Sequence, residues 1–351
     1  MKICLLNNLY KPYNRGGAEN VVAAMIKAYQ NSGHEVFLIT TRPESLDLGE
    51  NKDCRTFYIS SEFYNLNKKP KISRLFWHLY NLRATKKYHA IKKILQAEKP
   101  DLVISHNLMG LDFKTAQTIQ DLKIEHHHFL HDIQLLHPSG LIIYGQENSA
   151  DSLSAKLYQK ATQFFLGSPD LIISPSRWLL DEHLKRGFFK KSKTEIKHLE
   201  DILNIKLPAT ANTKQPPFKN LLFAGQIEKH KGILFLLEAF EKLAGSEMKL
   251  TIAGDGSLLP LIRERFSKDK RLKILGRLSK ENLEKSFEEA DVLIVPSLCY
   301  ENYPLTIIEA RQAELPIIAS GIGGIPEALK NGGWLFKPGD AESLFAEINK
   351  N

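Results

Sequence analysis

Three cysteines in 351 residues, Cys4, Cys54 and Cys299, are too few and too scattered for a disulfide framework, and no Cys-x-x-Cys pair offers a zinc site. No apolar run reaches the roughly 18 residues of a membrane-spanning helix. Met1 to Asn7 turns polar after Leu6, too soon for a signal peptide. A dinucleotide fingerprint is missing as well. Gly321-Ile322-Gly323-Gly324-Ile325-Pro326 carries proline where the third glycine should stand, and Gly225 to Gly232 lacks the Gly-Lys-Ser/Thr ending of a P-loop. Hydride transfer on a nicotinamide and P-loop phosphoryl transfer both lose support. Acidic residues are absent over one long stretch, between Glu62 and Glu98.

What is present is ordinary globular composition: 43% hydrophobic and 25% charged residues, enough apolar surface to offset chain entropy. The length suggests two domains. The net charge of +8 is unevenly placed. Residues 51–100 carry 12 basic and 3 acidic side chains, and the remainder of the chain is close to neutral. Phe63, Tyr64, Phe76, Trp77, Tyr80 and Tyr88 interleave with these lysines and arginines, and Leu75-Phe76-Leu79-Leu82 has helical spacing. Either a solvated helix packed on its own domain or an element leaning on an anionic membrane or lipid-phosphate acceptor over 63–97 fits this pattern. Nothing else in the chain supports a nucleic-acid partner.

Short apolar runs alternate with helix-length segments. Ile3–Leu6, Val36–Ile39, Leu102–Ile104, Ile124–Leu130 and Leu171–Ile173 form one series. Leu221–Ala224, Leu250–Ala253, Leu272–Leu275, Val292–Val295 and Ile317–Ala319 form a second. Runs apolar on both faces and separated by helices predict parallel sheets built of βαβ units. The expected fold is therefore α/β, with two doubly wound, Rossmann-like domains: 1–205, a linker over 206–218 marked by Pro216-Pro217, and 219–351, the last short at its C-terminus. Ligands in such sheets bind outside the carboxyl ends of the strands.

Gly16 and Gly17 precede a helix pattern, where backbone N–H groups can approach an anion, although any strand-to-helix turn needs the same residues. Lys229 and Lys231 place positive charge after a strand end. The segment Pro296-Ser297-Leu298-Cys299-Tyr300-Glu301-Asn302-Tyr303-Pro304-Leu305-Thr306 leads into a helix containing Glu309. Pro304 suits the first helical turn, and N–H groups near Leu305 and Thr306 would be free to bind a diphosphate. Glu309 lies roughly 7–8 Å along the axis. A carboxylate on either side of a diphosphate matches a nucleotide-diphosphate sugar, with sugar hydroxyls at one end and ribose hydroxyls at the other. Two surface glutamates are the plainer reading of the same spacing. The histidines His126, His127 and His128 alternate faces on a strand and cannot converge on one metal.

Taken in order, these residues resemble retaining glycosyltransferases of family 4, the group 1 family with the GT-B fold. The resemblance is carried by Gly16-Gly17-Ala18-Glu19, Gly33-His34-Glu35-Val36, His131-Asp132, Ser174-Pro175-Ser176-Arg177, Lys231-Gly232, Ala253-Gly254-Asp255-Gly256, Leu275-Gly276-Arg277, the pair Glu301 and Glu309, Gly323-Gly324-Ile325-Pro326-Glu327 and Pro338-Gly339-Asp340. It implies a metal-independent transferase moving a sugar from a nucleotide-sugar donor to a saccharide or lipid-linked acceptor. Glu301 would contact the donor sugar, Glu309 the ribose, Lys231 the leaving diphosphate and His131 the sugar. Gly16, Gly17, Gly254, Asn302, Leu305 and Thr306 would border the donor. Gln226 stands where the family usually has arginine, so either Lys229, Arg15 or another cation supplies that charge, or turnover is slow, or the chain is a diverged member. Gln226 also leaves open a non-catalytic nucleotide-sugar-binding protein; a GT-B nucleotide-sugar epimerase is the other alternative. The expected location is the cytoplasm, peripheral on the inner face of the membrane, with no cofactor and no metal.

Overall fold

The computed structural model describes all residues except 13–15, 44–50, 62–69, 71–85, 209–214, 244–246, 331 and 351. The aromatic half of the basic stretch, with its Leu75-Phe76-Leu79-Leu82 pattern, therefore lies outside the described residues, as does Arg15. Two compact units emerge. The first comprises Met1–Leu141 and Asn148–Leu203, the second Ile142–Glu147 and Asn204–Asn351. Segment 142–147, expected within the first domain, groups with the second, because its backbone hydrogen-bonds to residues 298–300. Tyr144 N–H donates to Leu298 O at 2.8 Å and Tyr300 N–H to Ile142 O at 2.9 Å. Phe218, at the expected linker's end, is 1% exposed in the second unit's core and donates its N–H to Ile348 O.

Among the described residues the first unit holds seven strands: β1 (Lys2–Leu6), β2 (Glu35–Arg42), β3 (Arg55–Ser60), β4 (Leu102–Ser105), β5 (Glu125–Phe129), β6 (Leu171–Ser174) and β7 (Lys193–Ile196). They form one parallel sheet in the order β3-β2-β1-β4-β5-β6-β7. The second unit holds β8 (Asn220–Ala224), β9 (Lys249–Ala253), β10 (Leu272–Gly276), β11 (Val292–Val295), β12 (Ile317–Ser320) and β13 (Gly333–Phe336), parallel in the order β10-β9-β8-β11-β12-β13. The central strands are apolar on both faces because helices cover both. Cys4, Leu5, Leu6, Leu293 and Ile294 are fully buried. Right-handed crossovers put helices on one face while the chain moves one way across the sheet, and on the other face when it reverses. The reversal falls between β1 and β4 in the first unit and between β8 and β11 in the second. Helix starts are fixed locally: Ser152, Ser176, Ser279 and Asp340 each accept the N–H three residues on.

The pleat of β5 separates its histidines. His126 and His128 point inward and share the Ser105 hydroxyl, at 2.7 and 2.8 Å, while His127 faces Glu125 on the opposite side. His183, from the helix Arg177–Leu184, packs against Phe188 and Phe189 and hydrogen-bonds Leu179 O through Nδ1. Burial lowers His126 to about 3 and His183 to about 4. On acidification the unfolded chain protonates these rings near pH 6.5, whereas the folded chain resists until far lower pH. Their contribution is thus complete above about 6.5 and is lost below it, at roughly 1.4 kcal/mol per histidine per pH unit. The melting temperature should fall by roughly 5–10 °C between about pH 7 and pH 5 in calorimetry. His183→Leu should flatten that slope.

Candidate functional site

In the second unit, the loops after β8 and β11 meet where the strand order reverses. After β8 the chain makes a 3₁₀ turn over Lys229–Lys231 and enters the helix Ile233–Glu241 through Gly232, whose φ is 75°. After β11, residues 296–304 lead into the helix Leu305–Gln312. The Leu298 N–H donates to His230 O at 2.9 Å, so the two loops share backbone. Side chains cross at the same place. Lys231 Nζ donates to Glu301 Oε2 at 2.7 Å, and the Ser297 hydroxyl donates to Glu301 Oε1. The Glu301 carbonyl accepts the Gly324 N–H at 2.7 Å. Burial on its own pushes the Glu301 carboxyl up, but Lys231, Ser297 and His230 together hold it below the ordinary range. Burial works against the Lys231 ammonium, and Glu301 more than offsets it. The pair is therefore ionised, with 25% and 11% of the two side chains still exposed to a ligand.

Glycines set how closely these loops approach. A Cβ on Gly232 would sit 1.7 Å from Pro296 O. One on Gly323, whose φ is 61°, would sit 2.4 Å from Glu301 O. Gly254 is needed for a similar reason: its Cβ would meet Gly225 O at 1.8 Å, and its N–H is already given to Gly276 O. Packing thus accounts for Gly254 without a ligand.

Pro304, expected in the first helical turn, is instead the N-cap, with ψ of 123°, and Leu305 opens the helix. The proline's carbonyl takes the Ile307 N–H at 3.1 Å. The N–H groups of Leu305 and Thr306 have no backbone acceptor among the described residues, as expected at a helix start. Glu309 lies in the second turn, partly buried, with its carboxyl raised by burial and opposed by Lys280. Gln226 and Lys229 are exposed, and Asn302 is partly buried.

His131, Gly16 and Gly17 belong to the first unit. His131 follows β5, its Nε2 lying 2.8 Å from His106 Nδ1. Burial lowers it to about 3, so the ring is neutral and exchanges hydrogen bonds rather than charge. Gly16 donates its N–H to Glu19 Oε2 at 3.1 Å, and Gly17 is already helical. The expectation that both glycines offer N–H groups to a ligand is corrected at Gly16: the buried Glu19 carboxylate has taken that donor.

Sequence reasoning missed Ser297 and the 142–147 segment. Ser297 stands four residues before Glu301 in a loop with no repeating period. Ile143 forms an antiparallel bridge with Cys299, and Tyr300 donates its hydroxyl to Glu147 at 2.9 Å, contacts far apart in sequence. Gly232→Ala should destabilise the second unit by at least about 2 kcal/mol, since the new carbon must displace backbone at a positive φ. Denaturant unfolding measures this. Gly33→Ala, with φ of 80° and nothing within 4 Å, isolates the cost of the dihedral and should be milder.

Residues 15–197 match the model of Glycosyltransferase Family 4, and residues 218–350 match Glycosyl transferases group 1. An uncharacterized 42.6 kDa protein in the cps region of Klebsiella pneumoniae is 26% identical over 336 residues, covering 93% of this chain and 87% of that protein. Among solved structures, the lipopolysaccharide outer core galactosyltransferase WaaB superposes with a TM-score of 0.66 at 18% identity, covering 100% of this chain and 90% of that one. Anabaena Alr3699/HepE in complex with UDP and glucose superposes with a TM-score of 0.64 at 18% identity, covering 99% and 89%. The family match extends over both halves, and the two parallel sheets have the GT-B form of these neighbours: the chain belongs to the family 4, group 1 glycosyltransferases.

Proposed function

We propose that the chain is a retaining, metal-independent transferase that takes a sugar from a nucleotide-diphosphate sugar and passes it to a saccharide or lipid-linked acceptor in polysaccharide or lipopolysaccharide synthesis. The observation that carries this reading is the Lys231–Glu301 pair, ionised at the carboxyl ends of β8 and β11 beside the start of helix Leu305–Gln312. An ionised carboxylate accepts hydrogen bonds from vicinal sugar hydroxyls. Lys231 lies within reach of the same space and, with the N–H groups of Leu305 and Thr306, suits a departing diphosphate. Glu309, half-buried with no hydrogen-bond partner for its carboxylate among the described residues, suits the ribose hydroxyls. The acceptor class is supported by similar proteins: WaaB is a lipopolysaccharide outer core galactosyltransferase, and the Klebsiella protein comes from a cps region. HepE was solved with UDP and glucose, which favours a nucleoside-diphosphate donor.

In the proposed reaction the bond from the anomeric carbon to the diphosphate oxygen breaks, with Lys231 and the helix N–H groups taking up the growing negative charge. The acceptor hydroxyl attacks from the face the diphosphate leaves, and its proton passes to the leaving phosphate oxygen. Configuration is thereby retained. His131, neutral, would hydrogen-bond the sugar rather than donate charge. The exposed Gln226 favours one alternative, a protein that binds nucleotide sugars without turnover.

Lys231→Ala and Glu301→Ala should each lower transfer by roughly 10²–10³-fold, on the scale of losing one group that stabilises transition-state charge. A radiolabelled donor screen with UDP-, GDP- and ADP-sugars, started from whichever nucleotide raises the melting temperature, measures this. Activity should persist in EDTA. Unchanged transfer in both variants would overturn the site, and binding without transfer by the unmodified chain would favour the alternative.

A further inference from the structure

The helix Leu153–Leu166 of the first unit has its polarity reversed. Its inward stripe is Ala155, Gln159, Thr162 and Leu166, all buried. Gln159 Nε2 donates to Leu136 O and Ala150 O at 3.0 and 2.6 Å, and Thr162 Oγ1 donates to Leu135 O at 2.7 Å. Three large apolar side chains face outward. Leu153, Leu157 and Phe164 are 78%, 60% and 70% exposed and fall within about 40° of helical arc, directly opposite the buried stripe. Packing of the unit does not explain them, since that packing is done by the other face. Lys156 and Lys160 flank the stripe, exposed and without an ion pair among the described residues.

Beside Phe164 lies an open groove of about 390 Å³, lined among others by Lys160, Gln163, Phe188, Lys190 and Lys191. Among the described residues no acidic side chain lines it. Two acids of this unit, Asp151 and Glu182, are both held by Arg186, at 3.0 and 2.6 Å. An apolar stripe bordered by unpaired lysines, next to a cationic groove, complements a surface that is apolar beneath and negatively charged above. The helix Lys86–Glu98, with Lys86 and Lys93 exposed, belongs to the same layer, joined to Leu153–Leu166 through Thr115–Asp121.

We propose that this helix face and its groove dock the protein onto an anionic phospholipid bilayer, the helix lying in the interfacial plane. The helix face and groove lie outside 63–97, of which only Lys86 and Lys93 belong to the adjoining layer, and the test needs neither donor nor acceptor. It therefore stands apart from the transferase reading.

The full chain should co-sediment with phosphatidylcholine vesicles that contain phosphatidylglycerol, far less with phosphatidylcholine alone, and less as salt rises. The double variants Leu157→Ser with Phe164→Ser, and Lys156→Glu with Lys160→Glu, should each weaken that binding by at least about tenfold. Their melting temperature should be unchanged, because the replaced side chains are exposed. A Phe164→Trp variant should blue-shift and be quenched by brominated acyl chains, a readout that survives if a double variant fails to fold. Three results would overturn the proposal: no pelleting with anionic vesicles; pelleting lost only on Lys68→Glu with Lys69→Glu; or a dimer in sedimentation velocity that the Leu157 and Phe164 changes dissolve.

Discussion

Right-handed crossover between parallel strands constrains this molecule more than any single contact. A chain winding outward from β1 lays its helices on one side of the sheet and can cover the second side only by returning and winding the other way. Both units obey this, and in each the strand order reverses between two neighbouring central strands. In the second unit β8 and β11 deliver Lys231 and Glu301 to that place from 70 residues apart. The ion pair is thus a product of topology first and of local chemistry second. Its ionised state follows from mutual neutralisation, since burial by itself disfavours the charge on both partners.

Glycine lets the loops after β8 and β11 come this close. Gly232, Gly254 and Gly323 each stand where a single methyl group would meet a carbonyl oxygen of the neighbouring loop. The two loops can then share the Leu298–His230 hydrogen bond, and the Gly323-Gly324 turn can close on the Glu301 backbone. The first unit does the corresponding work with polar side chains: Asn107 N–H bonds Asn7 Oδ1, and His106 meets His131. Its interior is richer in histidine, and that makes it the acid-sensitive half.

Much of this was legible in the sequence, and what escaped did so for identifiable reasons. The buried strands announced themselves as apolar runs, because both their faces are covered. Strands β3 and β7 did not: Arg55-Thr56-Phe57-Tyr58-Ile59-Ser60 and Lys193-Thr194-Glu195-Ile196 are edge strands, half wet, and carry the mixed composition of a loop. Strand β13, four residues long like β7, lies at the other sheet's edge. Glu301, Glu309 and Lys231 were singled out by their spacing and by the family resemblance together, since spacing reports local chain direction but fits two surface glutamates equally well. Ser297 and the Ile142–Glu147 segment escaped because their roles depend on contacts that no local period encodes. Pro304 was displaced by one position, a difference between N-cap and first turn that proline's fixed φ alone does not decide.

The glycine-lined approach of the two loops also shapes how this protein can drift. Positions where side chains are barred by a neighbouring carbonyl cannot absorb mutation, whereas exposed Gln226 and Lys229, on the same loop, meet no such barrier. Variation in the charge offered to a ligand is therefore channelled into a few surface positions while the backbone cradle stays fixed. Gln226 is one such position: its side chain can change the charge the loop offers without meeting a backbone carbonyl. Charge at that loop can therefore be altered without altering its shape, because the glycine positions that set the approach and the exposed positions that carry charge are different residues.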